Sequence, residues 1–185
     1  MIAVPHYITA REYLAIEQQS PCRHEYRRGL VYAMAGSTDR HDRIAFNFLR
    51  LIDDHLGDNS GCRFYSGNVK VGYQDELYYY PDAFVTCDSR DRDSRYIKRY
   101  PKLIVEVLSS STQEFDRGEK FEDYKQIESL EEYLLVTQDQ QHVERRRRTA
   151  TGDWETQFFG FDQTIKLEGI GLEFAISALY RGLDG

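Results

Sequence analysis

The segment Lys102-Leu103-Ile104-Val105-Glu106-Val107-Leu108 decides which fold this sequence can adopt. Its apolar residues form a nearly continuous run, which is typical of a strand buried on both faces in the middle of a sheet. Glu106 interrupts that run. A buried carboxylate is costly unless a cation or a metal ion lies beside it. The segment therefore predicts a central strand that carries either a functional acid or an ion-paired one.

Helix and strand patterns on both sides of this segment predict a layered α/β (α+β) domain. Helices are predicted at Thr9–Glu17, where Thr9 and Glu12 form a capping box, and at Arg40–Leu56 and Asp116–Ser129. The remaining predicted elements are a hairpin at His24–Ala35, strands at Cys62–Tyr73, Tyr78–Cys87, Glu132–Thr137, Gln141–Arg148, Trp154–Phe161 and Ile165–Leu167, and a helical turn at Ala175–Tyr180. The length of 185 residues fits one domain, 1–185.

Composition limits the function classes. The formal net charge of -7 argues against a simple basic nucleic-acid-binding domain, but an acidic metal site would add to the negative count. The sequence shows no signal peptide and no apolar run long enough to span a bilayer, so we expect a cytoplasmic protein without a membrane partner. Three widely spaced cysteines argue against a disulfide framework and favour a reducing compartment.

Two acids and a lysine carry the predicted chemistry. Asp82 follows Pro81 in a second apolar run, and it would converge with Glu106 on one cation if the two strands pair. Such hard oxygen ligands suit Mg2+ or Mn2+, which would polarise a phosphoryl oxygen and activate water. Lys120 lies four residues from both Asp116 and Tyr124, so all three can share one helix face and Lys120 can stabilise developing charge.

These residues occur in segments that resemble the putative restriction-endonuclease family, a bacterial group within the PD-(D/E)xK nuclease superfamily. The resemblance spans nearly the whole chain, and its most specific part is the Glu-Val-Leu-Ser strand followed by Asp-Arg-Gly-Glu-Lys. The matching segments are Pro81-Asp82, Ile104–Ser109, Asp116–Tyr124, His24–Gly29, Met34–His41 and Leu130–Val136. The resemblance implies a restriction-endonuclease-like mixed central sheet flanked by helices, and magnesium-dependent hydrolysis of DNA.

The resemblance also assigns roles to individual positions. Asp82 and Glu106 would be the two catalytic, metal-binding acids. The superfamily places its lysine two residues after the second acid, where this chain has Leu108, so the resemblance implies that Lys120 has taken over that role or that the site is impaired. Glu25 would be an additional acid on the metal side of the site.

Further residues are accessory candidates, and each candidate also has a purely structural interpretation. His41 begins a long helix and can either face the same cleft or simply start the helix. Asp116 can complement a helix dipole, and Glu106 can pair with a buried Arg or Lys. Asp82 can cap a turn, while Lys120 can be a solvated charge. The basic run Arg145–Arg148 would place two arginines on each face of a strand, which favours a solvated edge strand over a phosphate-binding stripe.

Three functions compete at this point. The first is a metal-dependent endonuclease that acts on DNA as a homodimer, since twofold symmetry supplies two sites for two strands. The second is a catalytically impaired module on the same fold that binds nucleic acid or protein, which Leu108 favours. The third is hydrolysis of a small phosphodiester, which suits the acidic surface.

Overall fold

A computed structural model describes residues 7–57 and 60–183. None of the helices in this part of the chain is long and apolar enough to cross a membrane. The helices are α1 (Ala10–Glu17), α2 (Asp39–Leu56), α3 (Gln113–Arg117) and α4 (Glu119–Tyr124), with 3-10 turns at Ser89–Asp91 and Ile176–Tyr180. The strands are β1 (His24–Arg27), β2 (Leu30–Ala33), β3 (Arg63–Ser66), β4 (Lys70–Tyr73), β5 (Leu77–Tyr79), β6 (Ala83–Thr86), β7 (Ile97–Lys98), β8 (Leu103–Leu108), β9 (Glu132–Thr137), β10 (Val143–Arg148), β11 (Trp154–Phe159), β12 (Thr164–Leu167) and β13 (Leu172–Ala175).

The predicted mixed central sheet flanked by helices is confirmed. Its strand order is β11-β10-β9-β8-β6-β3, and β8 pairs in parallel with β9 and antiparallel with β6. The two faces of β8 support two different cores. Val105 and Val107 pack with α2, whereas Ile104 and Leu108 belong to the cluster that contains α4. Glu106 shares the face of Ile104 and Leu108, as the alternation of the strand predicts.

A second sheet has the order β2-β1-β5-β4-β7, and its relation to the first corrects two predicted strands. Each of the runs Cys62–Tyr73 and Tyr78–Cys87 was predicted as one strand, but each is broken and contributes one half to each sheet. Pro81 explains the second break, because proline has no amide hydrogen for a ladder bond and its φ is fixed. Asp82 therefore lies at the junction between the sheets, immediately before β6.

The predicted helix Asp116–Ser129 is also wrong in its bounds. Helix α3 ends at Arg117 and α4 ends at Tyr124, with Gly118 between them at φ -104° and ψ -103°. A Cβ at Gly118 would lie 3.0 Å from the carbonyl oxygen of Glu114, so the backbone turns where only glycine fits without adjustment. The break nevertheless leaves Asp116 and Lys120 close together.

The predictions for the sheet margins have mixed outcomes. The capping box at Thr9 is present, and the hairpin around Gly29 forms β1 and β2. The sequence analysis missed strand β13 and also the short strand β7, which lies before Pro101. The basic run lies in β10, which pairs with both β9 and β11, so the edge-strand interpretation is wrong.

The four arginines of β10 are held inside the protein's own hydrogen-bond network. Arg145 bonds Gln157, Arg146 bonds Glu144, and Arg147 bonds Glu155. The guanidinium of Arg148 donates to the backbone carbonyls of Lys125, Ile127 and Leu130. These contacts tie β10 to its neighbours and leave little of the run for phosphate contacts.

The prediction for the cysteines is corrected by a disulfide between Cys62 and Cys87. The two residues flank the paired ends of β3 and β6, where Arg63 lies opposite Thr86. Antiparallel pairing therefore brings Cys62, which precedes Arg63, into contact with Cys87, which follows Thr86. The two cysteines are separated by 25 residues in the sequence. Cys22 is an exposed free thiol. The cysteine pattern no longer supports a reducing compartment.

A buried polar network holds α4 against β1. Asp123 is 1% exposed and accepts hydrogen bonds from Arg27 Nε at 2.7 Å and Arg28 Nη2 at 2.8 Å. The Tyr79 hydroxyl donates to the same carboxylate at 2.7 Å. Because α4 carries Lys120, this network also fixes the position of that lysine.

We expect Asp123→Ala to lower the free energy of unfolding by roughly 2 to 3 kcal/mol, since it leaves two arginines and a buried hydroxyl without their acceptor. The estimate is below that for a fully buried pair because Arg28 remains 47% exposed. Glu122→Ala is the matched control on the same helix, because Glu122 makes an exposed bridge to Lys125 and should change stability by only about 0.5 kcal/mol. Urea denaturation measures both, and equal effects would contradict the role of the network.

The disulfide predicts a definite thiol count. Denatured but unreduced protein should react with a thiol reagent at Cys22 alone, and Cys62 and Cys87 should become reactive only after reduction. Cys62→Ser with Cys87→Ser should lower the stability of the oxidised protein by about 3 kcal/mol, because the loop they close restricts the unfolded chain. Three reactive thiols in the unreduced protein would refute the pairing.

Candidate active site

A cluster of polar side chains lies where the two sheets meet. It draws residues from β1, the junction before β6, β8, the first turn of α2, and the α3–α4 pair. Its members are Glu25, His41, Asp82, Glu106, Asp116, Lys120 and Tyr124. All seven residues that the sequence analysis proposed are therefore brought into one region.

Lys120 is at the centre of this cluster. Its Nζ lies 2.9 Å from Glu106 Oε1, 3.2 Å from Glu25 Oε1 and 3.5 Å from Asp116 Oδ1. The side chain is only 6% exposed, and its ammonium also lies 5.3 Å from the ring centre of Tyr79. The solvated-charge interpretation of Lys120 is therefore wrong. The alternative interpretation of Glu106 as an ion-paired acid describes its contacts, because Lys120 is its partner.

Asp82 is held by two different groups. Its Oδ2 accepts a hydrogen bond from the backbone N–H of Val107 at 2.7 Å, next to Glu106 on β8. Its Oδ1 lies 2.8 Å from Nε2 of His41, in the first turn of α2. Asp82 is thus fixed between the central strand and the long helix, with its side chain 22% exposed.

Glu25 and Tyr124 complete the surroundings of the lysine. Glu25 lies on β1, and its Oε1 accepts the backbone N–H of Tyr80 at 3.0 Å as well as contacting Lys120. The Tyr124 hydroxyl donates to Glu106 Oε1 at 3.3 Å from the end of α4. Residues from both sheets and from α4 therefore surround the buried ammonium of Lys120.

The cluster contains more carboxylate than ammonium groups. Burial and this excess of acids both shift the pKa values of its members. Burial raises the pKa of Glu106 well above its ordinary value, and nearby Asp116, Asp82 and Glu25 act in the same direction. Burial likewise raises the pKa of Asp116.

Lys120 responds in the opposite sense to burial. Desolvation acts to lower the pKa of its ammonium, but the surrounding carboxylates outweigh it and raise that pKa well above the ordinary value. Lys120 is therefore a permanent cation facing more carboxylate groups than it can neutralise.

A divalent cation fits this site by charge and donor type. Carboxylate oxygens in excess over ammonium groups are what Mg2+ and Mn2+ bind, and bound positive charge would favour the ionised form of Glu106. No group of three or more His, Cys, Asp or Glu side chains is assembled in metal-binding geometry within residues 7–57 and 60–183. Asp82 and Glu106 are the two carboxylates that would hold such an ion, which would complete its shell with other oxygens.

Sequence reasoning missed the residues that support the site from behind. The tyrosine run contributes the Tyr79 ring and the Tyr80 amide, although its pattern indicated only a strand. Gln138 accepts from Thr38 at the start of α2 and donates to the carbonyl of Leu108 at 2.7 Å. No local motif marks Gln138, because its role arises only when β8 and β9 end side by side.

Two curated proteins are similar to this chain in sequence. The chain is 37% identical over 177 residues to uncharacterized protein slr1290 of Synechocystis sp. (strain ATCC 27184 / PCC 6803 / Kazusa), covering 95% of this chain and 93% of that protein. It is 33% identical over 156 residues to uncharacterized protein sll1609 of the same organism, covering 83% and 88%.

A solved structure shares the fold. The structure described as a putative nuclease belonging to DUF820 from Anabaena variabilis ATCC 29413 superposes with a TM-score of 0.79 at 18% identity, covering 94% of this chain and 97% of that one. The model of the Uma2 family, described as "Putative restriction endonuclease", matches residues 10–178. The chain therefore belongs to the Uma2 family, and its fold is that of a nuclease-like protein.

Proposed function

We propose that this protein is a Mg2+- or Mn2+-dependent endonuclease that hydrolyses phosphodiester bonds of DNA. One observation carries the proposal. Lys120 contacts Glu106 at 2.9 Å, so the lysine and the acid that the motif requires lie together although they are not adjacent on one strand. Membership of the family supports the same reaction class.

The residues of the cluster divide the work of such a reaction. Asp82 and Glu106 would hold the divalent cation, which supplies Lewis acidity toward a phosphoryl oxygen when bound. Lys120 places a fixed positive charge where negative charge develops in the transition state. Its buried position excludes water, which strengthens that interaction.

The accessory residues act through these three. Glu25 and Asp116 hold Lys120 in place, and the Tyr124 hydroxyl orients Glu106. His41 fixes one oxygen of Asp82 while Val107 N–H fixes the other, so the carboxylate has a single orientation. We assign these groups positioning roles.

A second candidate is a binding module that has kept the scaffold without catalysis. The leucine at 108, where the superfamily has lysine, favours it, and so does the direct contact between Lys120 and Glu106, which can serve as a structural ion pair. This candidate predicts that the cellular activity of the protein survives Glu106→Ala.

The proposal includes a homodimer and a cytoplasmic location. Two symmetric sites would allow both strands of a duplex to be cut, and sedimentation of the purified protein measures the oligomeric state directly. We propose the cytoplasm because cellular DNA lies there, whereas the disulfide between Cys62 and Cys87 is more typical of an oxidising compartment. The oxidation state of Cys62 and Cys87 in cells, trapped by rapid alkylation, tests that compartment.

Glu106→Gln should remove metal binding and cleavage together, because it replaces a metal-binding carboxylate with an amide of the same shape. Calorimetric titration with Mn2+ and cleavage of supercoiled plasmid measure the two effects. Glu132→Gln is the matched control, since Glu132 is a buried acid on the neighbouring strand outside the cluster. Wild-type protein that binds no metal and cleaves neither DNA, RNA nor a small phosphodiester would refute the proposal.

Lys120→Ala should separate binding from catalysis. Removing the ammonium leaves the carboxylates free to bind Mn2+ at least as tightly as in wild type, whereas plasmid cleavage should fall by about 100-fold or more because transition-state stabilisation is lost. Circular dichroism establishes that the variant folds. Cleavage at the wild-type rate would exclude Lys120 from the reaction.

A further inference from the structure

Two cations lie beside the ring of Tyr80, near the junction between the sheets. Within the described residues, the Lys70 ammonium forms no ion pair or side-chain hydrogen bond, and it lies 4.9 Å from the ring centre of Tyr80. The exposed guanidinium of Arg23 lies 5.8 Å from the same ring centre and donates to the carbonyl of Gly67. Among the residues that the structure describes, one buried aromatic ring therefore has two cations beside it that form no ion pair with an acid.

The partly buried position of Lys70 makes the charged form of its side chain less favourable. Burial lowers the pKa of its ammonium, although Glu17 acts in the opposite direction. Glu17 itself is engaged elsewhere, accepting from the Tyr80 hydroxyl at 2.7 Å and contacting His24 at 3.0 Å. An anion arriving beside Lys70 would relieve this cost.

Both cations border the ring of Tyr80, which lies two residues before Asp82 of the candidate active site. Tyr80 precedes Pro81 and Asp82 in sequence, and its amide bonds Glu25. Arg23 Nη1 and the Cα of Asp82 lie 3.5 Å and 3.9 Å from the position that a Cβ would take at Gly67. The arginine and the catalytic aspartate therefore face the same short turn.

Electrostatics explains why such cations would be needed here. A phosphodiester backbone approaching Glu25, Asp82, Glu106 and Asp116 meets a region rich in carboxylates, in a chain with a net charge of -7. The arginine run of β10 is occupied by internal partners. Attraction for the polyanion would then come from cations that form no ion pair. Arg23 and Lys70 are two such cations, and both lie beside Tyr80 at the junction.

We propose that Arg23 and Lys70 bind a DNA backbone phosphate next to the one that is cleaved, with Tyr80 holding both side chains in place. This inference rests on the proposed endonuclease function and adds the contact that brings substrate to the carboxylates. Arginine can bind the phosphate through two N–H groups, and lysine adds a point charge. The contact reads no sequence, because it is made to phosphate alone.

The test measures DNA binding in EDTA, so that neither metal binding nor cleavage enters the readout. Fluorescence anisotropy follows a short labelled duplex with wild type, Arg23→Gln/Lys70→Gln, and the control Lys166→Gln/Arg181→Gln. The control removes the same charge from exposed residues outside the cluster. We expect the first variant to bind at least about tenfold more weakly, with a salt dependence shallower by about one to two in the log–log slope.

Charge retention separates binding from a structural effect. Lys70→Arg should keep the affinity, whereas Lys70→Gln should lose it, and thermal melting shows that both are folded. Equal weakening in the Lys166→Gln/Arg181→Gln control would reduce the effect to net charge and overturn the assignment.

The remaining outcomes distinguish the proposed phosphate contact from the proposed endonuclease function on which it rests. If Arg23→Gln/Lys70→Gln binds DNA like wild type while wild-type protein cleaves plasmid with Mn2+, the phosphate contact is wrong and the endonuclease proposal stands. A duplex that does not bind wild-type protein overturns the inference. If an RNA oligomer binds instead with the same variant pattern, DNA is replaced by RNA as the partner.

Discussion

The buried ion pair between Lys120 and Glu106 links the central sheet to the helix packed on it. A lone carboxylate on a strand with apolar neighbours on both faces would be strongly unfavourable, and a lone ammonium beneath α4 equally so. The ion pair between them offsets the free-energy cost of burying each charge. Because Glu25 and Asp116 also contact the ammonium, this one cation holds together β8, β1 and the α3–α4 pair. Removing Lys120 would leave three neighbouring carboxylates without the cation that they share.

The junction between the two sheets follows from a second constraint, which is the loss of strand pairing at Pro81. Pairing of β6 with β8 ends at Ala83 opposite Val105, and the next amide on that edge of β8 belongs to Val107. The Asp82 carboxylate accepts that amide at 2.7 Å and so takes the place of a backbone carbonyl. The same side chain thereby stabilises the end of the ladder and presents an oxygen beside Glu106. Structural and functional requirements coincide at this residue.

The sequence predicted β8, β9 and α2 well because each carries a long, regular pattern of apolar residues. It predicted that Asp82 and Glu106 converge if their strands pair, and β6 does pair with β8. The break at Pro81 was missed because the apolar run continues on both sides of it, whereas the break after Ser66 falls at Gly67-Asn68, a turn signal to which the prediction gave too little weight. The break at Gly118 was missed because the helical pattern continues beyond it. The disulfide was missed because spacing along the chain says nothing about register, and Cys62 meets Cys87 only when β3 pairs with β6.

The replacement of the expected lysine by Leu108 has a physical explanation within this fold. Leu108 points to the same face of β8 as Glu106 and is 5% exposed in a cluster that includes Phe121 and Tyr124. That cluster packs α4 onto β8. Leucine at this position therefore supports the helix from which Lys120 reaches Glu106, and a lysine at 108 would place a second cation in the apolar layer between them. Under the proposed function, the strand position packs α4 while the helix supplies the charge, so the departure from the superfamily pattern is compatible with a working site.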